Sequence, residues 1–289
     1  MDTKEILKKV RSIEIKTKGL SNHIFAGEYN TAFKGRGMTF SEVREYEIGD
    51  DLRTIDWNVT ARYNSPFVKV FEEEREITLM LMVDVSSSSS FGTNKRFKRE
   101  LVSEISAVLA FSAIKNNDKV GVIFFSDKIE KFISPSKGKK HILRIIKEIL
   151  TFQSTSKKTN IKKALEYFNR VTKKRSICFL LSDFFDSDFF EPVKLSAKRH
   201  DLVAVNTLDS RELEIPNVGL LSLQDSEEDN EILVDSSDRK FRRNFKNKQL
   251  SRLETLKKEL NLCGADYIQL LTQEDIISPL INFFKNRKK

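Results

Sequence analysis

The sequence predicts an α/β fold, a mostly parallel sheet with helices on both of its faces. Three observations carry this. From about Ile77 to Asp209, short apolar runs alternate with apolar stripes of helical period. Two of those runs stop at an aspartate, Asp84 and Asp183. The chain has 289 residues, 39% hydrophobic and 32% charged, with 10 Gly and 5 Pro, which is enough to bury a core and unlike a disordered or fibrous composition.

Taken in order, residues 1–76 carry Gly27, Gly35, Gly37 and Gly49 and no clean helical stripe after residue 18, so they read as a strand and loop extension. The run Ile77 to Val83 is apolar on both faces, as a central parallel strand is. Phe97, Leu101, Ile105, Val108 and Phe111 mark one face of a helix that ends near Asn116-Asn117. Val120 to Phe125 is a second strand and Ile129 to Ile133 a short edge strand. Ile142, Ile145, Ile146 and Ile149 mark the next helix, and Ile161, Leu165, Phe168 and Val171 another. Ser176 to Ser182 is a strand, followed by helix to Lys198 and a strand at Leu202 to Val205. Such alternation implies right-handed crossovers. Gly219 to Leu223 and Glu231 to Val234 form a hairpin around the acidic stretch Asp225–Asn230, a small insertion at about 210–237. Leu250, Leu253, Leu256 and Leu260 then mark a helix, Tyr267 to Leu271 a strand, and Ile276, Ile277, Leu280, Ile281 and Phe284 a final helix. The expected organisation is residues 1–76 packing on a main domain of residues 77–289.

Composition narrows the function. Met1 to Ser12 is charged without an apolar core, and no stretch approaches the roughly 18 apolar residues of a membrane helix, so a cytoplasmic protein without a transmembrane segment is expected. Cys178 and Cys263 are too few for a disulfide framework, and Cys178 lies in an apolar run. A net charge of +9 suits an acidic partner, nucleic acid or an anionic membrane without choosing among them. His23, His141 and His200 are scattered, which leaves little material for a histidine zinc site or a Ser-His-Asp triad.

Ligands of open α/β sheets bind outside the carboxyl ends of the strands, where the strand order reverses. Asp84 and Asp183 stand at such ends. In Asp84-Val85-Ser86-Ser87-Ser88, alternate residues can turn a carboxylate and two hydroxyls to one side, all oxygen ligands for a hard divalent ion such as Mg²⁺. The same residues also read as an Asx turn and a serine loop, and Thr159 or Asn160 as the N-cap of the helix at Ile161.

The joint order of Asp84-x-Ser86-x-Ser88, then Thr159-Asn160-Ile161 before Ala164-Leu165, then Leu181-Ser182-Asp183 resembles a metal ion-dependent adhesion site (MIDAS) of von Willebrand factor type A domains. The resemblance covers about residues 77–271 and implies a doubly wound, Rossmann-like sheet with the strands ending at Asp84 and Asp183 side by side. It also implies Mg²⁺ or Mn²⁺ held by Asp84, Ser86, Ser88, Thr159 and Asp183, with a partner's carboxylate completing the shell. Upstream, Gly35-Arg36-Gly37-Met38-Thr39-Phe40, then Arg44-Glu45-Tyr46-Glu47-Ile48-Gly49-Asp50-Asp51-Leu52-Arg53-Thr54-Ile55-Asp56-Trp57, then Thr60-Ala61-Arg62, resembles the signature of the bacterial family known as domain of unknown function fifty-eight. That resemblance implies work with an AAA+ ATPase of the MoxR class and a client protein, at the inner membrane only through partners. Arg44, Asp50, Asp51, Arg53, Asp56, Trp57 and Arg62 could form a structural network or a docking surface.

A metal-dependent interaction module is therefore the leading reading, not an enzyme. A metal-dependent phosphohydrolase is the alternative, with Asp186 or Asp188 as base. The chain carries no P-loop or Gly-x-Gly-x-x-Gly, so no nucleotide is expected on it. Arg239 to Lys258 has nine Lys or Arg against Glu254, which reads as a solvated helix face before it reads as a nucleic-acid surface, with Phe241 and Phe245 as core anchors.

Overall fold

The computed structural model describes residues 38–63, 65–73, 77–92, 96–154, 156–224 and 231–287. Met1 to Ser12, His23, Gly27, Gly35, Arg36, Gly37 and the acidic stretch Asp225–Asn230 lie outside the described residues. Among the described residues, those from Met38 to Ile77 make one compact unit, and those from Thr78 onward belong to a second, larger one.

In the smaller unit, β1 (Met38–Glu45) pairs antiparallel with β2 (Phe67–Glu73) across a bulge between Phe40 and Glu42. The signature charges between them act as turn and cap devices. Arg44 grips Asp50 with two bonds of 2.7 and 2.8 Å, and Asp50 also accepts the Glu47 N–H, closing a turn in which Gly49 takes a φ of 116°. Asp51 accepts the Arg53 N–H at the start of the 3₁₀ turn Leu52–Thr54. Asp56 accepts the N–H groups of Asn58 and Val59 and so starts α1 (Trp57–Tyr63). Besides strands and loops, the extension thus holds this two-turn helix. It shows no hydrophobic stripe because none of its residues is buried. Trp57 is 70% exposed.

The larger unit is built on six strands: β3 (Thr78–Asp84), β4 (Lys119–Phe125), β5 (Ile129–Ser136), β6 (Ile177–Ser182), β7 (Asp201–Leu208) and β10 (Asp266–Leu271). Their order is β10-β7-β6-β3-β4-β5, all parallel except the edge strand β5. The chain first moves from β3 toward β4 and then returns to β6 on the other side, so the winding reverses between β3 and β6. This is the doubly wound order expected of a type A-like domain. β3, β4 and β6 are apolar on both faces because helices cover both. Met80, Met82, Cys178 and Leu180 face α4 (Ile161–Val171), α5 (Phe190–Arg199) and the C-terminal half of α7 (Arg239–Leu262) in one continuous core. On the alternate side-chain face, α2 (Lys98–Lys115) and α3 (Lys139–Thr151) pack on each other and bury Leu101, Ile105, Val108, Ile142, Ile145 and Ile149. The short α6 (Ser210–Leu213) follows β7, and α8 (Ile277–Asn286) packs on β10 through Leu280 and Phe284. The hairpin of β8 (Leu220–Gln224) and β9 (Glu231–Asp235) pairs with itself as a separate two-stranded sheet.

Four residues depart from the periodic reading. Phe97 is the N-cap of α2 and 53% exposed, because a residue before the first helical turn does not follow the helical period. Leu250 is exposed and Phe241 and Phe245 are only half-buried, so they do not anchor the core. The first turns of α7 pack on α6, and its core contact begins at Leu253.

His200, which caps α5, is buried against the Phe168 ring with centroids 4.5 Å apart. Among the described residues neither of its ring nitrogens has a hydrogen-bond partner. Burial, aided by the charges of Arg199 and Arg175, lowers its pKa from 6.5 to about 4. As pH falls through 6.5 the unfolded chain takes up the proton first, so stability is lost from there down to about pH 4, by about 3 kcal/mol in full. His200→Phe should remove this component. Urea unfolding at pH 7 and pH 4.5 should show the variant gaining on wild type at the lower pH, and a pH-independent difference would contradict the assignment.

Candidate functional site

The reversal of winding brings the ends of β3 and β6 together. Their parallel register sets Val83 beside Leu181, so the next residues, Asp84 and Ser182, meet. The Ser182 hydroxyl donates to Asp84 Oδ2 at 2.7 Å and in turn accepts the Phe184 N–H at 3.1 Å. Asp84 Oδ1 accepts the Ser86 N–H at 3.0 Å, the Asx turn that its position suggested. That turn leads into a 3₁₀ turn, Ser87–Ser90, and places Ser86 Oγ 3.1 Å from Ser88 Oγ. The Ser88 hydroxyl also bonds the Asp183 carboxylate.

A third loop completes the cluster. Asn160 is the N-cap of α4, accepting the Lys163 N–H at 2.8 Å, which leaves Thr159 to turn inward. Thr159 Oγ1 lies 3.5 and 3.4 Å from the two oxygens of Asp84. The loop is pinned from three sides: Ser87 N–H reaches Lys157 O at 3.2 Å, Asn160 N–H reaches Ser126 O at 2.9 Å, and Asp186 accepts the Ile161 N–H at 2.7 Å. Asp84, Ser86, Ser88, Thr159 and Asp183 are therefore brought together. Asp84, Ser86 and Asp183 are buried, whereas Ser88 and Thr159 are partly exposed, so the cluster opens to solvent on their side. Two carboxylates and three hydroxyls form an all-oxygen donor set, the chemistry that suits a hard divalent ion.

The two carboxylates differ sharply. Burial and then the Asp183 charge push Asp84 up to about 7, against its bonds from Ser182 and Ser86. Burial acts on Asp183 in the same sense, but the Lys98 ammonium and the hydroxyl of Ser88 outweigh it and hold Asp183 below the usual carboxylate range. Lys98 Nζ is 3.0 Å from Asp183 Oδ2 and also bonds Glu212 Oε1. Its side chain is 2% exposed.

Sequence reasoning missed Lys98, Glu212 and Arg252. One signal for Lys98 was present: a lysine opening a helix opposes the helix dipole and asks for a nearby anion. Glu212 sits in Asp209-Ser210-Arg211-Glu212, a capping box, and fills that role by accepting the Asp209 N–H at 2.7 Å while its other oxygen meets Lys98. Arg252, one of the basic residues of α7, donates to Phe184 O at 2.8 Å and Asp183 O at 3.2 Å, with its guanidinium 3.4 Å over the Phe185 ring. This clamp holds Phe184 at a φ of 54°, a left-handed conformation that costs a bulky residue about 1 kcal/mol or more.

This asymmetry predicts opposite outcomes for two neutralising substitutions. Asp84→Asn keeps an acceptor for Ser86 and a partner for Ser182 while dropping a buried charge, so in chelator at pH 8 it should be at least as stable as wild type. Asp183→Asn leaves the buried Lys98 with Glu212 as its remaining carboxylate and should cost about 3 kcal/mol. Denaturant titration of both variants checks the contrast, and equal losses would contradict it.

Among known proteins, Rv1480 of Mycobacterium tuberculosis is 26% identical over 292 residues, spanning 100% of this chain and 92% of that protein. YeaD of Bacillus subtilis is 29% identical over 110 residues, 38% of this chain and 25% of that protein. Among solved structures, an aerotolerance-related membrane protein of Bacteroides fragilis superposes with a TM-score of 0.51 at 16% identity, covering 73% of this chain and 98% of that one, a likeness of fold. Among the described residues here, no helix is long and apolar enough to cross a membrane. The family model described as "Protein of unknown function DUF58" matches residues 42–254, most of the chain, and the protein belongs to that family.

Proposed function

We propose that the chain is a metal-dependent protein-interaction module, in which Asp84, Ser86, Ser88, Thr159 and Asp183 hold Mg²⁺ or Mn²⁺. The observation that carries this reading is the meeting of these five oxygen side chains at the reversal of winding, with the Ser88 and Thr159 side open. Bound there, the ion supplies a Lewis-acidic position for a carboxylate of a partner. Asp84 and Ser86 are fixed by backbone and Ser182 bonds, so they form the rigid wall of the site. Thr159 and Ser88, nearer solvent, are the hydroxyls able to turn toward an incoming group.

The surroundings support an acidic partner. A cleft of about 650 Å³ between the end of α6 and the first turns of α7 is lined by Arg239, Lys240, Arg242, Arg243 and Lys246 against the single carboxylate of Glu214, with Ile215 beside them. Among the described residues its lining carries no aromatic side chain on which an unpaired base could stack, so it suits an acidic protein segment better than single-stranded nucleic acid. Membership of the family favours an ATPase of the MoxR class as that partner, with this chain as adaptor to a client, in the cytoplasm or at the inner membrane through its partners. Phosphoester hydrolysis is less well supported, because Asp186, one of the two candidate bases, is engaged with the first N–H of α4.

Two measurements test the reading. Calorimetry should show binding of Mg²⁺ or Mn²⁺ to wild type and a loss of about tenfold or more in Asp84→Asn and Thr159→Val. The purified MoxR-class ATPase of the same genome should co-elute with wild type in Mg²⁺ but not in chelator or with Asp84→Asn. Co-elution indifferent to metal and to both substitutions would overturn the proposal.

A further inference from the structure

Lys98 asks for an explanation of its own. Fully burying a lysine is costly unless it is paired, and placing it on the first turn of a helix sets its charge against the positive end of the helix dipole. Both penalties are offset by what it touches: Asp183 Oδ2 at 3.0 Å on one side and Glu212 Oε1 on the other. Glu212 is itself anchored through the Asp209 N–H, and Asp209 accepts the Thr272 hydroxyl at 2.6 Å. The ammonium is thus held by a braced acceptor and aimed at one carboxylate of the oxygen cluster. Among the described residues Arg252 donates to the backbone oxygens of Asp183 and Phe184. Among the described residues, Lys98 is the cation that the Asp183 carboxylate meets within ion-pair distance.

Resting on the metal-binding reading above, we infer that Lys98 is a tethered cation that competes with the divalent ion for Asp183 and sets the metal affinity of the site, while Glu212 screens Lys98 and limits that competition. The group holds three carboxylates, Asp84, Asp183 and Glu212, and one ammonium, Lys98, which meets Asp183 and Glu212. With all of them ionised the group carries a charge of −2, which a divalent ion brings to zero. Removing the ammonium raises the negative charge that an ion meets and leaves Asp183 without a counter-charge, held by the Phe185 N–H and the Ser88 hydroxyl. Removing the Glu212 charge does the reverse and leaves Lys98 unscreened beside the ion. A purely structural Lys98 would change stability in both variants without moving metal affinity in opposite directions.

The test is Mn²⁺ titration followed by electron paramagnetic resonance, with thermal unfolding in Mn²⁺ and in chelator, on the full chain. Lys98→Met should bind Mn²⁺ about tenfold more tightly than wild type, and Glu212→Gln about tenfold more weakly. Lys98→Met should also be destabilised in chelator and recover more of its melting temperature on adding Mn²⁺ than wild type gains. Should Lys98→Met fail to fold in chelator, the comparison moves to the double variant Lys98→Met with Glu212→Gln, which must bind Mn²⁺ more tightly than Glu212→Gln alone. Wild-type affinity in all of these variants would overturn the role of Lys98 and leave the metal site standing. Absence of Mn²⁺ and Mg²⁺ binding from wild type and every variant would overturn the metal site and this inference together.

Discussion

Two carboxylates buried side by side at the ends of adjacent parallel strands make a constraint that the architecture around them must answer. Each would be expensive alone, and their mutual repulsion adds to the cost. The fold divides the burden unequally. Asp183 receives a full counter-charge from Lys98 and N–H and O–H donors besides. Among the described residues Asp84 is met by dipoles, from Ser182, the N–H and hydroxyl of Ser86 and the more distant Thr159 hydroxyl. Much of the loop structure at this end of the sheet is the means by which those donors arrive.

The loops also brace one another. The loop after β3 is tied to the one before α4 through Ser87 and Lys157, and that loop to the one after β6 through Asp186 and Ile161. Arg252 fastens the last of them from the far helix and sustains the left-handed Phe184. Movement of any one loop would strain the other two, which is how side chains from distant parts of the sequence keep a common geometry. The strained residue adjoins Asp183, in keeping with the tendency of such conformations to gather at functional positions.

Most of this fold was readable because burial on both sheet faces leaves uninterrupted apolar runs, and because amphipathic helices repeat with a clear period. The carboxylates were readable for a related reason: an aspartate ending an apolar run has few other places to go than the strand terminus. What escaped were residues whose meaning depends on tertiary neighbours. Lys98 and Arg252 look like ordinary surface cations in sequence, and only the return of α6 and α7 to the strand ends reveals what they meet. The helix α1 escaped because it buries nothing and so leaves no stripe. Phe97 was misplaced by one helical position, since the period cannot tell the last residue before a helix from its first. Of Thr159 and Asn160, both credible caps, the sequence could not say which turns outward to cap and which turns inward.

The β8–β9 hairpin has a different kind of consequence. Among the described strands it pairs with itself alone, and its ends are stitched together where the Ser236 N–H meets Gly219 O at 2.8 Å and the Val218 N–H meets Ser236 Oγ at 3.0 Å. The chain therefore leaves and re-enters the domain at almost the same point, and what lies between is topologically a side branch. Evolution can lengthen, shorten or replace such a branch without renegotiating the sheet. Relatives that share the strand-end chemistry are accordingly free to diverge here, and a reporter group grafted onto the branch would leave the interior undisturbed.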